Sequence, residues 1–243
     1  MRREAGSAQI DSFNSGRWGW SAGVEISHRD YRGVISGTSR PPTSLLPGPQ
    51  LKQYSRIHYD VLRLPEYRFA LNSGGGYELG RIWSQPAHVF AKVRGSLAAH
   101  WLPRAEGDDF ETFLQARGGG IAGEVSFDEL YMLGMERDND LWMRAHVGTR
   151  DGRKGSAPLG RRYFLTNSEI DKNIYSNGLI TAKLGPFLDT GKITDPSGAL
   201  GASRWLWDTG GQAKLRVLGV GLTFIYGKDL RTGNNAFYFT TAR

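Results

Sequence analysis

Alternation of apolar and polar residues is the sequence feature that most constrains the fold of this chain. In residues 17–28, RWGWSAGVEISH, every even position up to Ile26 is apolar and every odd position is polar or glycine. A period of two also dominates residues 87–101 and the segment from Leu218 to Tyr226. Because successive side chains of a β-strand point to opposite faces, this pattern predicts strands with one apolar and one polar face.

The predicted strands are long and numerous. Residues 87–101 far exceed the roughly 5–6 residues usual for a strand in a soluble sheet, and long strands are typical of tilted membrane spans. Turn residues separate about eleven candidate strands. These are residues 17–31, 51–64, 66–83, 86–103, 109–119, 125–133, 162–175, 178–193, 203–208, 212–228 and 235–243.

Composition narrows the class of membrane protein. Hydrophobic residues make up 39% of the chain and the mean hydropathy is -0.43, which excludes a bundle of transmembrane helices. No apolar run approaches the roughly 18 residues that one such helix requires. The 33 glycines, 7 tryptophans, 10 tyrosines and 11 phenylalanines instead suit many strands with tight turns and interfacial aromatics.

The charge pattern argues against a nucleic-acid partner. The net charge is +7, but basic residues are scattered along the whole chain and no run of five occurs. A polar lumen and loops near anionic lipid explain this surplus. The absence of cysteine fits an oxidising compartment. No apolar signal segment follows Met1, so we expect a mature chain or a fragment of an exported protein.

The sequence therefore predicts an all-β protein, an antiparallel transmembrane β-barrel that forms a single domain over residues 1–243. The longest irregular stretches are 32–50 and 134–160, which predicts long loops at one end of the barrel and short turns at the other. A soluble β-sandwich or lipocalin-like barrel is the alternative. The mixture of Lys, Arg, His and Gly on the polar face favours a water-filled lumen and a location in the bacterial outer membrane.

No catalytic or metal-binding signature is present, so we expect neither an enzyme nor a cofactor. Five histidines, among them His146, lack metal-ligand spacing. Gly74, Gly75 and Gly76 resemble a phosphate loop, but no helix begins after them, and a glycine-rich strand is the simpler interpretation. Residues 138–140 lack the glycine and glutamate of a calcium loop and predict a solvated acidic turn.

Residues 127–222 contain four ordered motifs. A segment ending in Leu133 and Gly134 precedes the tetrapeptide Met143-Arg144-Ala145-His146. Asn167-Ser168-Glu169, Phe187-Leu188-Asp189-Thr190-Gly191 and Gly219-Val220-Gly221-Leu222 follow it. The four motifs resemble those of the bacterial surface antigen family of outer-membrane assembly and secretion barrels. Ala145 and His146 stand where that family has glycine and an aromatic residue, and Arg243 stands where such barrels usually end in an aromatic.

The resemblance implies a function and a site. Members of the family insert or translocate other proteins at the outer membrane, with periplasmic domains ahead of a sixteen-stranded barrel. It implies that 143–146 form a lumenal loop motif, and that Arg144 pairs with Glu169 or Asp189. Outer-membrane lipid and client proteins are the expected partners. The chain then covers the C-terminal part of such a barrel, whereas a smaller barrel of ten to twelve strands, acting as a passive pore or surface-structural protein, is the alternative.

Overall fold

The computed structural model describes residues 2–12, 16–31, 45–103, 109–136, 139–150, 153–154, 156–195 and 204–242. Eleven strands form one antiparallel sheet in the order β1-β2-β3-β4-β5-β6-β11-β12-β13-β14-β15, and four strands of two residues form two small ladders. The strands are β1 (Arg2–Asp11), β2 (Trp18–Asp30), β3 (Gly48–Leu64), β4 (Phe69–Ile82), β5 (His88–Trp101), β6 (Phe110–Gly123), β7 (Tyr131–Met132), β8 (Thr149–Arg150), β9 (Arg153–Lys154), β10 (Leu159–Gly160), β11 (Arg162–Ser176), β12 (Ile180–Thr194), β13 (Arg204–Val217), β14 (Val220–Asp229) and β15 (Asn235–Ala242).

Three of the predicted elements differ from the structure. Residues 125–133 hold a 3₁₀ turn, Phe127–Glu129, and only the two-residue strand β7, because their side chains fold against the inside of the sheet. Strand β1 was not predicted, since RREAGSAQID has little alternation, yet it pairs with β2 along its whole length. Its residues are exposed on both faces.

The third difference concerns the boundary between β13 and β14. The glycines at 210 and 211 indicated a turn, but β13 runs straight through them. Gly210 lies in a close strand pair, where a Cβ atom would come within 1.9 Å of the carbonyl oxygen of Tyr226. The hairpin turn lies instead at Leu218 and Gly219, which have φ of 50° and 88°. Two consecutive positive φ values are typical of the tight type I′ turn.

The connections are unequal at the two ends of the sheet, as the sequence predicted. One end carries the short connections 12–17, 65–68, 102–109, 177–179 and 218–219. The other carries 31–47, 83–87, 124–161, 195–203 and 230–234, which include the longest ones. The predicted loop 134–160 lies within 124–161, and most of the predicted loop 32–50 lies outside the described residues. Short turns at one end and long loops at the other are typical of outer-membrane barrels.

The connection 124–161, which we call the lumenal loop, packs against one face of the sheet from end to end. Asp128 lies 3.7 Å from Arg3 of β1, and Met135 packs with Ile225 of β14 and Tyr238 of β15. One loop can contact both the first and the last strand only if the sheet curls around it. The face that contacts the loop is therefore the lumenal face of a barrel.

The two faces of the sheet differ as a membrane barrel requires. Buried polar side chains, including Arg29, Lys52 and Asp189, lie on the lumenal face, and large apolar side chains are exposed on the outer face. Exposed outer aromatics lie near both ends of the strands, as in the paired girdles of transmembrane barrels. One girdle contains Trp18, Trp20, Tyr67, Trp101 and Tyr175, and the other contains Trp83, Phe164, Trp205, Trp207, Tyr226 and Phe237.

The apolar core lies inside the barrel, beneath the lumenal loop. Phe90, an apolar residue on the otherwise mostly polar face of β5, is 4% exposed and packs in one cluster with Ile82, Ile121, Tyr131 and Leu133. An apolar side chain suits this lumenal position because Phe90 faces the lumenal loop and not water. None of the helical segments in the described part of the chain has the length or apolar character needed to cross a membrane.

The division between outer and lumenal faces can be tested with one introduced charge. Val93 is 57% exposed on the outer face of β5. We expect Val93→Arg to lower the free energy of unfolding in lipid vesicles by about 2–4 kcal/mol, because the charge would lie against lipid. Urea titration measures this value. Gln115→Arg, which places the same charge on the lumenal side, is the matched control, and an equal loss in both variants would contradict the assignment of faces.

Candidate functional site: the lumenal loop and its anchors

The lumenal loop has an ordered structure of its own. The side-chain amide of Asn139 donates to the carbonyl oxygens of Met132 and Gly134 at 2.9 and 2.6 Å. The backbone N–H of Met135 donates to the carbonyl of His146 at 2.7 Å. These bonds fix the position of residues 143–146 relative to Met135, on the lumenal face of β11 to β14. Asn139 thus organises the loop, whereas the sequence predicted only a solvated turn around it.

Arg144 is the first anchor of the loop. It is 5% exposed, and its guanidinium binds Asp189 of β12 through two parallel hydrogen bonds, Nε to Oδ2 at 2.9 Å and Nη2 to Oδ1 at 2.6 Å. Nη1 donates to Glu169 Oε2 at 2.8 Å and to Gln212 Oε1 at 2.9 Å. The predicted residues are therefore brought together, with Gln212 as a partner that the sequence did not indicate.

The surroundings of Arg144 satisfy its charge. Its Cζ lies 3.9 Å from the ring centre of Phe187, which is a cation–π contact. Burial alone disfavours the charged form, but the hydrogen bonds and charge of Asp189 and the charge of Glu169 outweigh it and raise the pKa of Arg144. A buried guanidinium held by two carboxylates is a strong and geometrically specific contact.

Asp189 belongs to a row of buried aspartates that crosses three strands. The strand register places it opposite Asp208 of β13, and Asp208 opposite Asp229 of β14. All three are at most 3% exposed. Like charges directly opposite one another destabilise a sheet, so this row needs positive charge or hydrogen-bond donors from elsewhere.

The tetrapeptide 143–146 supplies those groups along the row. The backbone N–H of Arg144 donates to Asp189 at 3.0 Å, and that of Ala145 donates to Asp208 at 2.6 Å. His146 places Nδ1 at 3.0 Å from Asp208 and Nε2 at 3.6 Å from Asp229. His146 thus faces the two aspartates that the Arg144 guanidinium does not reach.

The same three side chains form the group that comes nearest to a metal-ligand set among the described residues. Ligand atoms of His146, Asp208 and Asp229 lie within 4.8 Å of one another, a grouping that the spacing of histidines in the sequence could not reveal. Each ring nitrogen faces a different carboxylate. This arrangement suits an imidazole that bridges two carboxylates, since a protonated histidine donates from both nitrogens.

Two glycines allow the loop to approach the strands closely. A Cβ atom at Gly227 of β14 would lie 2.5 Å from the carbonyl oxygen of Arg144. A Cβ atom at Gly191, the last residue of the Phe-x-Asp-x-Gly motif, would lie 2.9 Å from Leu133 and 3.0 Å from the sulfur of Met143. A side chain at Gly227 would displace the backbone of the tetrapeptide from the aspartate row, whereas one at Gly191 would require the side chains of Leu133 and Met143 to shift.

A second anchor fixes the start of the loop to the opposite strands of the sheet. Arg29 of β2 is 1% exposed, and it binds Asp128 through Nε at 2.7 Å and Glu129 through Nη2 at 2.7 Å. Lys92 of β5 and Lys52 of β3 approach Glu129 at 3.1 and 3.4 Å. The polarity is the reverse of the first anchor: here the loop supplies carboxylates and the strands supply cations.

These cations control the ionisation of Glu129. Burial opposes its negative charge, but the charges of Lys92, Lys52 and Arg29 outweigh burial and hold the pKa of Glu129 well below its usual range. Next to it, burial and the charge of Asp128 raise the pKa of Tyr31 to about 12. This second anchor has no local signal in the sequence, because its partners are separated by as many as 100 residues in the chain.

One comparison with a solved structure supports the fold. No protein-family model matches the sequence, and no curated protein matches it. Among solved structures, CdiB from Escherichia coli matches with a TM-score of 0.66 and 14% identity, over 98% of this chain and 44% of that chain. The chain thus spans less than half the length of CdiB, and the fold is that of an outer-membrane β-barrel. LpxR from Salmonella typhimurium matches with a TM-score of 0.37 and 8% identity, over 98% of this chain and 86% of that chain.

The first anchor can be tested by removing its cation. We expect Arg144→Met to release residues 141–148 from the strands, at a cost of about 3–5 kcal/mol, because Asp189 and Glu169 would remain buried without their partner. Hydrogen exchange of the loop amides measures the release. Arg144→Lys should be intermediate, since lysine keeps the charge but cannot form the two parallel bonds. Arg162→Met removes an exposed arginine and serves as control; comparable exchange in both methionine variants would contradict the anchor.

The second anchor predicts a defined dependence on pH. Since the pKa of Glu129 is lowered on folding, its contribution is fully present above the usual value of 4.5 and is lost as pH falls through the lower folded value. We expect amides 126–133 to stay protected at pH 5 and to lose protection only below about pH 4. Glu129→Gln should weaken protection already at pH 7. Glu124→Gln, which changes an exposed carboxylate of the same loop, should behave like the unmodified protein.

Proposed function

We propose that this chain is the loop-bearing part of a bacterial outer-membrane β-barrel that translocates or inserts proteins, and that it has no enzymatic activity of its own. The observation that carries the proposal is the lumenal anchor, in which Arg144 of the tetrapeptide binds Asp189 and Glu169 inside the barrel. The family that the motifs resemble, the bacterial surface antigens, places an arginine loop in the same way. CdiB, an outer-membrane protein transporter, shares the fold and supports the same class of function.

The arrangement of the loop supports a gated passage. The loop crosses the lumen and is held by charged contacts on both sides, to β2, β3 and β5 at its start and to β11 to β14 at its centre. Such contacts can exchange for contacts with water or with a passing chain, whereas the apolar contacts of Leu133 and Met143 with the strands have to be broken for the loop to leave. A loop of this kind closes the lumen at rest and permits opening when its anchors are released.

A passive pore is the second candidate function. A cavity of about 550 Å³ lies beside the loop and contains Arg56, Arg94 and Arg117 among its lining residues. A basic lumen favours passage of small anions without any client protein. The two functions share the fold and the membrane, and differ in whether a polypeptide enters the lumen.

Site-specific crosslinking distinguishes the two functions. A photoactivatable amino acid replaces either Ser96, which lines the lumenal cavity, or its neighbour Leu97, which is 46% exposed on the outer face. In cells that express the protein with its own genomic neighbours, we expect adducts with newly made polypeptides at position 96 that disappear during a chase. Position 97 should give adducts with lipid.

Two results would contradict translocation through the lumen. If position 96 gives no polypeptide adduct, and the purified protein shows steady, anion-selective conductance in planar bilayers, the passive pore is the correct function. A polypeptide adduct at 97 as frequent as at 96 would also contradict passage through the lumen.

A further inference from the structure

Gly74 and Gly76 of β4 form a short glycine strip, without side chains, on the lumenal face. The register pairs Gly76 with Arg56 of β3 on one side and with Arg94 of β5 on the other. Neighbouring strands lie about 4.8 Å apart, so the backbones of the two arginines lie about 10 Å apart across the strip. The segment that resembles a phosphate loop in the sequence has no helix after it, but it lies between two strands that each carry an arginine opposite Gly76.

Neither of these arginines has a carboxylate partner among the residues that the structure describes. The contact of Arg56 is with the ring of Tyr54, at 5.4 Å from the ring centre. In contrast, the lumenal cations Arg29, Lys92 and Arg144 each bind at least one buried carboxylate. Arg56 and Arg94 thus present hydrogen-bond donors that no acidic side chain of the described chain satisfies.

Both arginines line the cavity of about 550 Å³ beside the lumenal loop, together with Arg117. Arg117 donates to the backbone oxygen of Asp140 and to Asn167, while its buried Nε has no hydrogen-bond partner in the described structure. Two carboxylates, Asp11 and Asp140, also line the cavity. Three arginines against two aspartates leave the cavity positive, and its volume is that of an ordinary small-molecule site.

We propose that this cavity is a binding site for an oxyanion that carries two or more negative charges, held between Arg56 and Arg94 above the glycine strip. Guanidinium groups bind carboxylates and phosphates through paired hydrogen bonds, which are stronger than neutral ones. Two arginines on either side of a bare strip match a ligand with charges at both ends. A Cβ atom at Gly76 would lie 2.9 Å from the carbonyl oxygen of Ser55 and 3.4 Å from Cγ of Arg56, so glycine at this position leaves room for the stem of the Arg56 side chain.

Such an oxyanion has two sources. It can be a free phosphate compound, or it can be the acidic side chains of a polypeptide in the lumen; only the second source rests on the proposed translocation function. Inorganic pyrophosphate and a hexaglutamate peptide represent the two sources, and hexalysine is the negative control.

The test is calorimetric titration of the purified full chain in neutral detergent. We expect one-to-one binding of pyrophosphate, weakened about tenfold by Arg56→Gln and by Arg94→Gln, since each removes one charged donor pair. Arg81→Gln, which removes an exposed charge from the other face of β4, should change the affinity by less than about twofold. Circular dichroism confirms that each variant retains its strands.

The outcomes separate the proposals. Binding of pyrophosphate alone assigns the site to a free phosphate compound, and binding of hexaglutamate as well assigns it to acidic polypeptide. The absence of saturable binding for both probes overturns the site, as does an Arg81→Gln variant weakened as much as Arg94→Gln. Because these titrations need no translocation, a positive result with a negative crosslinking result at Ser96 rejects the transport function and keeps the site.

Discussion

Buried like charges on the lumenal face are the constraint on which the rest of the structure depends. Asp189, Asp208 and Asp229 lie side by side on neighbouring strands and are almost fully buried. A sheet cannot keep such a row without compensating donors. The tetrapeptide supplies them through Arg144, two backbone amides and His146, so the position of the loop and the stability of the strands depend on each other.

Each anchor binds the lumenal loop to a different half of the sheet. On β2, β3 and β5 the strands are basic and the loop brings Asp128 and Glu129; on β12 to β14 the strands are acidic and the loop brings Arg144 and His146. Opposite polarity at the two anchors gives the loop one orientation only, because reversing it would place like charges together. The backbone of Arg144 approaches Gly227 closely, and this contact then fixes how near the loop lies to the strands.

Much of the fold could be predicted from the alternation of apolar and polar residues. Only one face of each strand contacts lipid, so apolar residues recur at every second position, and a single sequence shows this pattern. The pairing of Arg144 with Asp189 and Glu169 followed from motif resemblance and not from physics. The turn predicted at 208–211 was wrong because glycine serves both turns and close strand pairs, and strand β1 was missed because its small and polar residues do not alternate. The second anchor could not be predicted, since its charges are separated by as many as 100 residues and carry no local signal.

The distance along the chain between the partners of the second anchor has a consequence for the order of folding. Arg29 cannot form its ion pair until Glu129 is in place, and the backbone N–H of Ala145 cannot bind until Asp208 is in place. Both sets of strands therefore have to be in register before the loop can bind to them. Contacts of such high sequence separation form late, because the entropy of closing long loops must be overcome first. The docked loop therefore marks a sheet whose strands have already assembled correctly, and an undocked loop marks one whose assembly is incomplete.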